Sequence, residues 1–342
     1  MSERQALAIK YRPKVFEDVT EQGSVRTILK QQLETNTFKS AYLFCGAAGT
    51  GKTTCARIFA SEINKGQGNP IEMDAASNNS VEDIRRISEQ ARTKSLDSEY
   101  KIFIIDECHA LSNSAWQAML KLIEEPPAKT IFIFATTDPQ KIPRTILSRV
   151  QRYDFQRITT KGIEDRIAHI LKQEGIKTFD YESIEYISKI AEGGMRDALT
   201  LLDKCLSYNE TLVIENVLKA LGTANYDIMF GLTDSIIYED PKKVVDIIEN
   251  LYLSGIDLKQ FVKTYMQFIL DVNKYILTDN FDYIAIPSTY EPELCEYKGD
   301  NISNDRYEIS KLLETLIQLN TAIKWETSPK ALIESTLLLE CV

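Results

Sequence analysis

The stretch Gly46-Ala47-Ala48-Gly49-Thr50-Gly51-Lys52-Thr53 constrains this chain more than any other. It fits the pattern G-x-x-x-x-G-K-S/T, and it lies between an apolar run at 41–45 (AYLFC) and a segment at 53–63 (TTCARIFASEI) with apolar residues at helical spacing. Strand, glycine loop and helix in that order put backbone N–H groups at a helix N-terminus, where they wrap phosphates. Lys52 then reaches the β and γ phosphates. Thr53, followed by Thr54, offers its hydroxyl to Mg²⁺, which prefers a few protein oxygens together with water and phosphate.

Further apolar runs at 71–73, 102–105 and 131–135 read as buried parallel strands, separated by helical segments at 81–94 and 113–124. This alternation predicts a doubly wound α/β sheet. Ser80 with Asp83 three residues on makes a capping-box pattern, Pro126-Pro127 ends the second helix, and Gly66 to Pro70 form a polar turn. Asp106-Glu107 closes the run 102–105, at the strand end that faces the ligand crevice in such sheets. Asp106 suits a contact to Mg²⁺ and Glu107 suits activation of water for attack on the γ-phosphorus. Alone, an acidic pair at a strand end is ordinary solvated surface; the glycine loop gives it meaning.

After about residue 157 the β-type runs stop. Helical patterns follow at 161–174, 181–192, 195–207 and 214–221, broken at Gly193-Gly194, then at 241–253 and 257–277, with a last helix capped by Ser328 before Pro329. Residues 278–306, with Pro287, Pro292 and Gly299, read as irregular. The expected organisation is a parallel-sheet domain over 1–157, a small helical domain over 158–222 and an all-helical domain over 223–342.

Composition narrows the classes further. Hydrophobic residues at 44% and charged ones at 26% fit an ordinary folded protein. No run approaches the ~18 apolar residues of a membrane span, and the N-terminus lacks an apolar leader core, so a cytoplasmic protein without a membrane partner is expected. Six cysteines without a C-x-x-C pair, and only His109 and His169, point to buried free thiols and structural histidines. His109 is expected to pack behind Glu107. The net charge of −10 repels nucleic acid over the bulk surface, so any DNA contact must be local.

Taken together, KYRP with FEDV at 10–19, GAAGTGKT at 46–53, MDAAS at 73–77, IIDECHALS at 104–112, LIEEPP at 122–127, ATTDPQKIP at 135–143, ILSR at 146–149 and GGMRDAL at 193–199 resemble the bacterial DNA polymerase III gamma/tau clamp-loader ATPases. The resemblance is dense to about residue 205 and looser beyond. It implies an AAA+ domain, a helical lid and a helical collar. It implies ATP and Mg²⁺ as ligands, and partners comprising the other subunits of a ring-like hetero-oligomer, a sliding clamp and primed DNA. By the same resemblance Arg12, Pro13 and Val19 line the adenine pocket, Thr137 senses the γ-phosphate, Arg196 is a second sensor, and Arg149 is an arginine finger acting on the neighbouring subunit's ATP. Val150 stands where the family has cysteine. The family's four-cysteine zinc module has no counterpart between the loop helix and MDAAS, so no zinc is expected; the long tau extension has none either.

DNA is expected to meet the N-terminal amides after Ser80, with Arg85 or Arg86 nearby; the plainer reading has Ser80 capping its own helix and the arginines pairing with Glu82 and Glu89. Two other functions fit parts of the pattern. One is a different AAA+ DNA motor, such as a replication-factor-C small subunit or a Holliday-junction branch-migration helicase. The other is a non-hydrolysing scaffold subunit like the loader's delta-prime subunit, disfavoured by intact Lys52, Thr53, Asp106 and Glu107.

Overall fold

The computed structural model describes residues 5–95, 97–221, 226–298 and 302–341, apart from the side chains of 302–307. Strands β1 (Ala41–Cys45), β2 (Ile71–Asp74), β3 (Lys101–Asp106), β4 (Thr130–Thr136) and β5 (Gln151–Asp154) form a parallel sheet in the order β2-β3-β4-β1-β5. The helices are α1 (Leu7–Lys10), α2 (Gly23–Thr35), α3 (Lys52–Ile63), α4 (Val81–Arg92), α5 (Asn113–Glu124), α6 (Arg144–Leu147), α7 (Thr160–Gln173), α8 (Tyr181–Ile190), α9 (Met195–Tyr208), α10 (Ile214–Leu221), α11 (Tyr226–Ile237), α12 (Pro241–Leu253), α13 (Leu258–Thr278), α14 (Glu291–Glu296), α15 (Ile302–Ala322) and α16 (Pro329–Leu339).

Alternation along the strands builds the two faces of the sheet. Leu43, Phe103, Ile105, Phe132 and Phe134 pack with Ile84, Trp116 and Met119 from α4 and α5, whereas Tyr42, Phe44, Ile102, Ile104, Ile131 and Ile133 pack with Leu29, Cys55 and Phe59 from α2 and α3. Covered on both sides, β1 and β4 are buried along their whole length, which is why they read as unbroken apolar runs. β5 gave no such signal: its residues QRYD bury only Tyr153, against β1 at the sheet edge.

The described residues up to Leu171, with Ala191–Leu202, form one compact unit, and Lys172–Ile190 with the described residues from Asp203 onward form a second. The second is helical, with a core that includes Phe230 edge-on to Phe268 at 4.8 Å between ring centres. The expected boundary at 222/223 and Gly299 lie outside the described residues. The stretch after α13 is more ordered than its composition indicates: short 3-10 turns at Phe281–Tyr283 and Ser288–Tyr290 lead into α14. Buried Asp271 holds it, accepting the Ala285 N–H at 2.8 Å on one oxygen and Lys274 Nζ and Gln267 Nε2, each at 3.0 Å, on the other.

The capping box at Ser80 is present, with the Asp83 N–H donating to Ser80 Oγ at 3.3 Å and the Ser80 N–H to Asp83 Oδ2 at 3.2 Å. Ser328 departs from expectation. Pro329 does open α16, but the Ser328 side chain makes no capping bond, and its N–H donates instead to Glu326 Oε1 at 3.0 Å.

Candidate nucleotide-binding site

Parallel register brings the carboxyl ends of β1, β3 and β4 to one edge, Cys45 beside Thr136 and Ile105 beside Phe134. The loop between β1 and α3 leaves that edge and is fixed by glycines. At Gly46 an added Cβ would stand 2.5 Å from the Phe155 carbonyl oxygen, and at Gly49, with φ +71°, 2.9 Å from Gly194 Cα. Gly51 has φ +101° and open space around its missing Cβ, so its constraint is the left-handed backbone and not crowding. That open cradle at the start of α3 fits a phosphate group. Thr50 Oγ1 donates to the Ala47 carbonyl at 2.9 Å, closing the loop on itself, and the Met195 N–H donates to Gly49 O at 3.0 Å.

Lys52 is 6% exposed, and its Nζ donates to the carbonyls of Gly46 at 2.9 Å and Ala47 at 2.8 Å. Burial holds its pKa below the usual lysine range, against the opposing pull of Glu107 and Asp106. A phosphate beside the ammonium restores the charge that burial disfavours. Thr53 Oγ1 donates to Asp106 Oδ2 at 2.7 Å. A hydroxyl and a carboxylate side by side form the sparse oxygen set Mg²⁺ accepts. Glu107 sits at φ +45°, and its Oε2 accepts from Thr137 Oγ1 at 2.9 Å and lies 3.2 Å from His109 Nδ1. His109 therefore flanks Glu107 rather than simply packing behind it.

A cavity of about 280 Å³ joins these groups, lined by Ala48 through Thr54, Asp106 and Glu107 on the loop side and by Arg12, Pro13, Val19 and Arg196 opposite. Ala8, Tyr11, Thr20, Ile158, Arg166, Met195, Asp197 and Leu199 complete the wall. Tyr11 and Met195 sit inside KYRP and GGMRDAL, so those motifs pointed to them; Ile158 and Arg166 carry no local signal. Arg166 donates to the Tyr11 carbonyl at 3.0 Å, tying α7 to the segment after α1. Gln22, only 7% exposed, donates to Gln156 O at 2.7 Å and accepts the Gln156 N–H at 3.1 Å.

Arg149 does not line this cavity; it pairs with Glu124 at 2.8 Å and donates to Thr145 O at 2.8 Å. Arg85 pairs with Glu82 at 3.1 Å, and Arg86 is 3.7 Å from Asp83 instead of meeting Glu89. Among the described residues no His, Cys, Asp or Glu group of three or more could hold a metal ion. Five cysteines are buried, and Cys295 is exposed, contrary to expectation. Burial pushes the Cys45 thiol up to about 11 and Cys55 up to about 12, which leaves both unreactive at neutral pH.

The glycine loop at the sheet edge, the Thr53–Asp106 pair and Glu107 give this parallel-sheet domain the form of a P-loop nucleotide-binding domain. The fold is similar to that of the Thermotoga maritima RuvB Holliday junction branch migration motor, with a TM-score of 0.53 and 20% identity over 72% of this chain and 86% of that one. Residues 69–159 match the family described as DNA polymerase III, delta subunit, and residues 162–210 match the DNA polymerase III clamp loader subunit, ATPase lid domain. The DNA polymerase III subunit gamma of Buchnera aphidicola subsp. Acyrthosiphon pisum is 30% identical, covering 98% of each chain. The chain belongs to the DNA polymerase III gamma/tau family. It is 33% identical to the Bacillus subtilis tau subunit over 98% of its own length but spans only 63% of that relative, and it spans 44% of the Mycoplasma pneumoniae gamma/tau subunit. Among the described residues, no helix is long and apolar enough to cross a membrane.

Proposed function

We propose that this chain is the ATP-hydrolysing motor of a sliding-clamp loader, assembled with other loader subunits and acting on a clamp and primed DNA. The observation that carries the reading is the site at the sheet edge, where Thr53 meets Asp106 at 2.7 Å and Glu107 is held by Thr137 at 2.9 Å. Thr53 and Asp106 would hold Mg²⁺, which would supply charge neutralisation for the phosphates. The chain's own residues do the rest: the loop amides and Lys52 hold the phosphates, Arg12, Pro13 and Val19 hold the base, Arg196 faces the phosphates from α9, and Glu107 accepts the proton of the attacking water. The middle division at 158–222 is supported by the lid match at 162–210. A branch-migration motor is not favoured, since the likeness to RuvB is one of fold alone.

Glu107→Gln separates binding from chemistry. ATP affinity should stay near that of the unmodified chain while turnover falls roughly 10²- to 10⁴-fold, the usual share of a general base. Unimpaired multiple turnover, followed by phosphate release, overturns the assignment.

DNA is assigned to the N-terminus of α4, where Arg85 and Arg86 are well exposed and their pairs with Glu82 and Asp83 are surface pairs, which are weak. In the assembled complex an Arg85→Ala, Arg86→Ala double variant should bind DNA less tightly and flatten the salt dependence by about one unit for each phosphate that is no longer neutralised. Unchanged affinity and slope remove both arginines from the interface.

A further inference from the structure

Two groups crowd one oxygen of Glu107: Thr137 Oγ1 at 2.9 Å and His109 Nδ1 at 3.2 Å from Oε2. A carboxylate only accepts, so the Thr137 hydroxyl donates. A bare Nδ1 lone pair aimed at the same oxygen would be repelled, so the contact is attractive in the tautomer that carries its proton on Nδ1. That nitrogen also lies 3.2 Å from the hydroxyl of Thr136, a fully buried residue whose Oγ1 accepts the Asp138 N–H at 3.0 Å. The imidazole is therefore lodged between the end of β4 and Glu107, and its side chain is only 21% exposed. Among the described residues Glu107 Oε1 has no hydrogen-bond partner.

The geometry points to His109 as a positioning residue for the activating carboxylate. With Thr137 it ties down Oε2, which leaves Oε1 as the acceptor turned to the attacking water. The His109 contact works through the end of β4, so the carboxylate is referenced to the sheet and not to the short 3-10 turn Cys108–Ala110 that carries the ring. This inference rests on Glu107 being the activator.

Steady-state ATP hydrolysis and ATP affinity of the full chain with clamp and primed DNA test it, using His109→Leu, His109→Asn and His109→Gln, each alone and with Glu107→Gln. His109→Leu should lower kcat roughly 10- to 100-fold, the scale of losing about 1 Å of alignment, with ATP affinity held. Asn places an amide N–H where Nδ1–H stands and should recover most of the rate; Gln places its own nearer the Nε2 position and should not. Once Glu107 is Gln, the Leu change should add no further loss, because the two act as one unit. A His109→Leu rate equal to that of the unmodified chain overturns the inference, as does a full additional loss in the Glu107→Gln background. If the Leu variant fails to fold, Asn against Gln decides, and equal rates for those two overturn it. Absence of hydrolysis by the unmodified chain would sink the ATPase reading itself, and this inference with it.

Discussion

Lys52→Ala is expected to abolish nucleotide binding or turnover. The ammonium sits in the turn of the loop at 6% exposure, and its present partners are the carbonyls of Gly46 and Ala47. Those are neutral acceptors, whereas a phosphate offers charge-assisted bonds about twice as strong. The side chain is already largely desolvated, so little further desolvation opposes the exchange. Truncating one partner of a buried charge pair costs about 2–5 kcal/mol, or roughly 30-fold to several-thousand-fold in affinity. Isothermal titration with ATP and Mg²⁺, alongside a melting curve to confirm that the variant folds, measures this. Tight binding with unchanged turnover by a folded Lys52→Ala chain would overturn the site.

Arg149→Ala is expected to leave ATP affinity of the isolated chain nearly unchanged and to remove the hydrolysis stimulated by clamp and DNA in the assembly. Within its own chain Arg149 is tied to Glu124 at 2.8 Å and to the end of α6, and it does not line its own cavity. At 40% and 44% side-chain exposure that ion pair is a surface one, worth about 0.2–1 kcal/mol. An arginine supplied by a partner raises the rate by roughly 10³- to 10⁵-fold, a barrier lower by about 4–7 kcal/mol. The second magnitude outweighs the first, so release from Glu124 is no obstacle to a role across a subunit boundary. Mixing decides the matter: Arg149→Ala chains combined with Lys52→Ala chains create some interfaces with both residues intact, and part of the activity should return. Mixed assemblies that form yet stay as inactive as either parent would contradict action in trans. A lowered melting temperature of Arg149→Ala alone would mark the Glu124 pair as its purpose.

The sequence was most legible where one residue type serves one purpose. β1, β3 and β4 are buried on both faces and so read as apolar runs, and the glycine loop declares itself because Gly46, Gly49 and Gly51 occupy positions a side chain cannot. β5 was silent since an edge strand with one buried tyrosine has no pattern to show. α2 was silent for another reason: its N-cap, Gln22, sits at φ +54° without a side-chain cap, so the usual start signal is missing. Ile158 and Arg166 reach the cavity from segments distant in sequence from the loop, and only the chain path brings them there. That His109 lies near Glu107 was expected from the sequence, but the φ of +45° at Glu107 was not, since glutamate does not announce a left-handed backbone.

The contact between Gly49 and Gly194 has a mechanical consequence. Where a Cβ on one glycine would stand 2.9 Å from the Cα of the other, and the next N–H along is bonded back to Gly49, no side chain lies between the two backbones to absorb a displacement. The turn around the phosphates and the first residues of α9 are splinted together, so a tilt of that helix end is felt by the loop at once, without slack. Position 49 is accordingly closed to substitution by even a single methyl group, because of backbone that lies well over a hundred residues further along the chain.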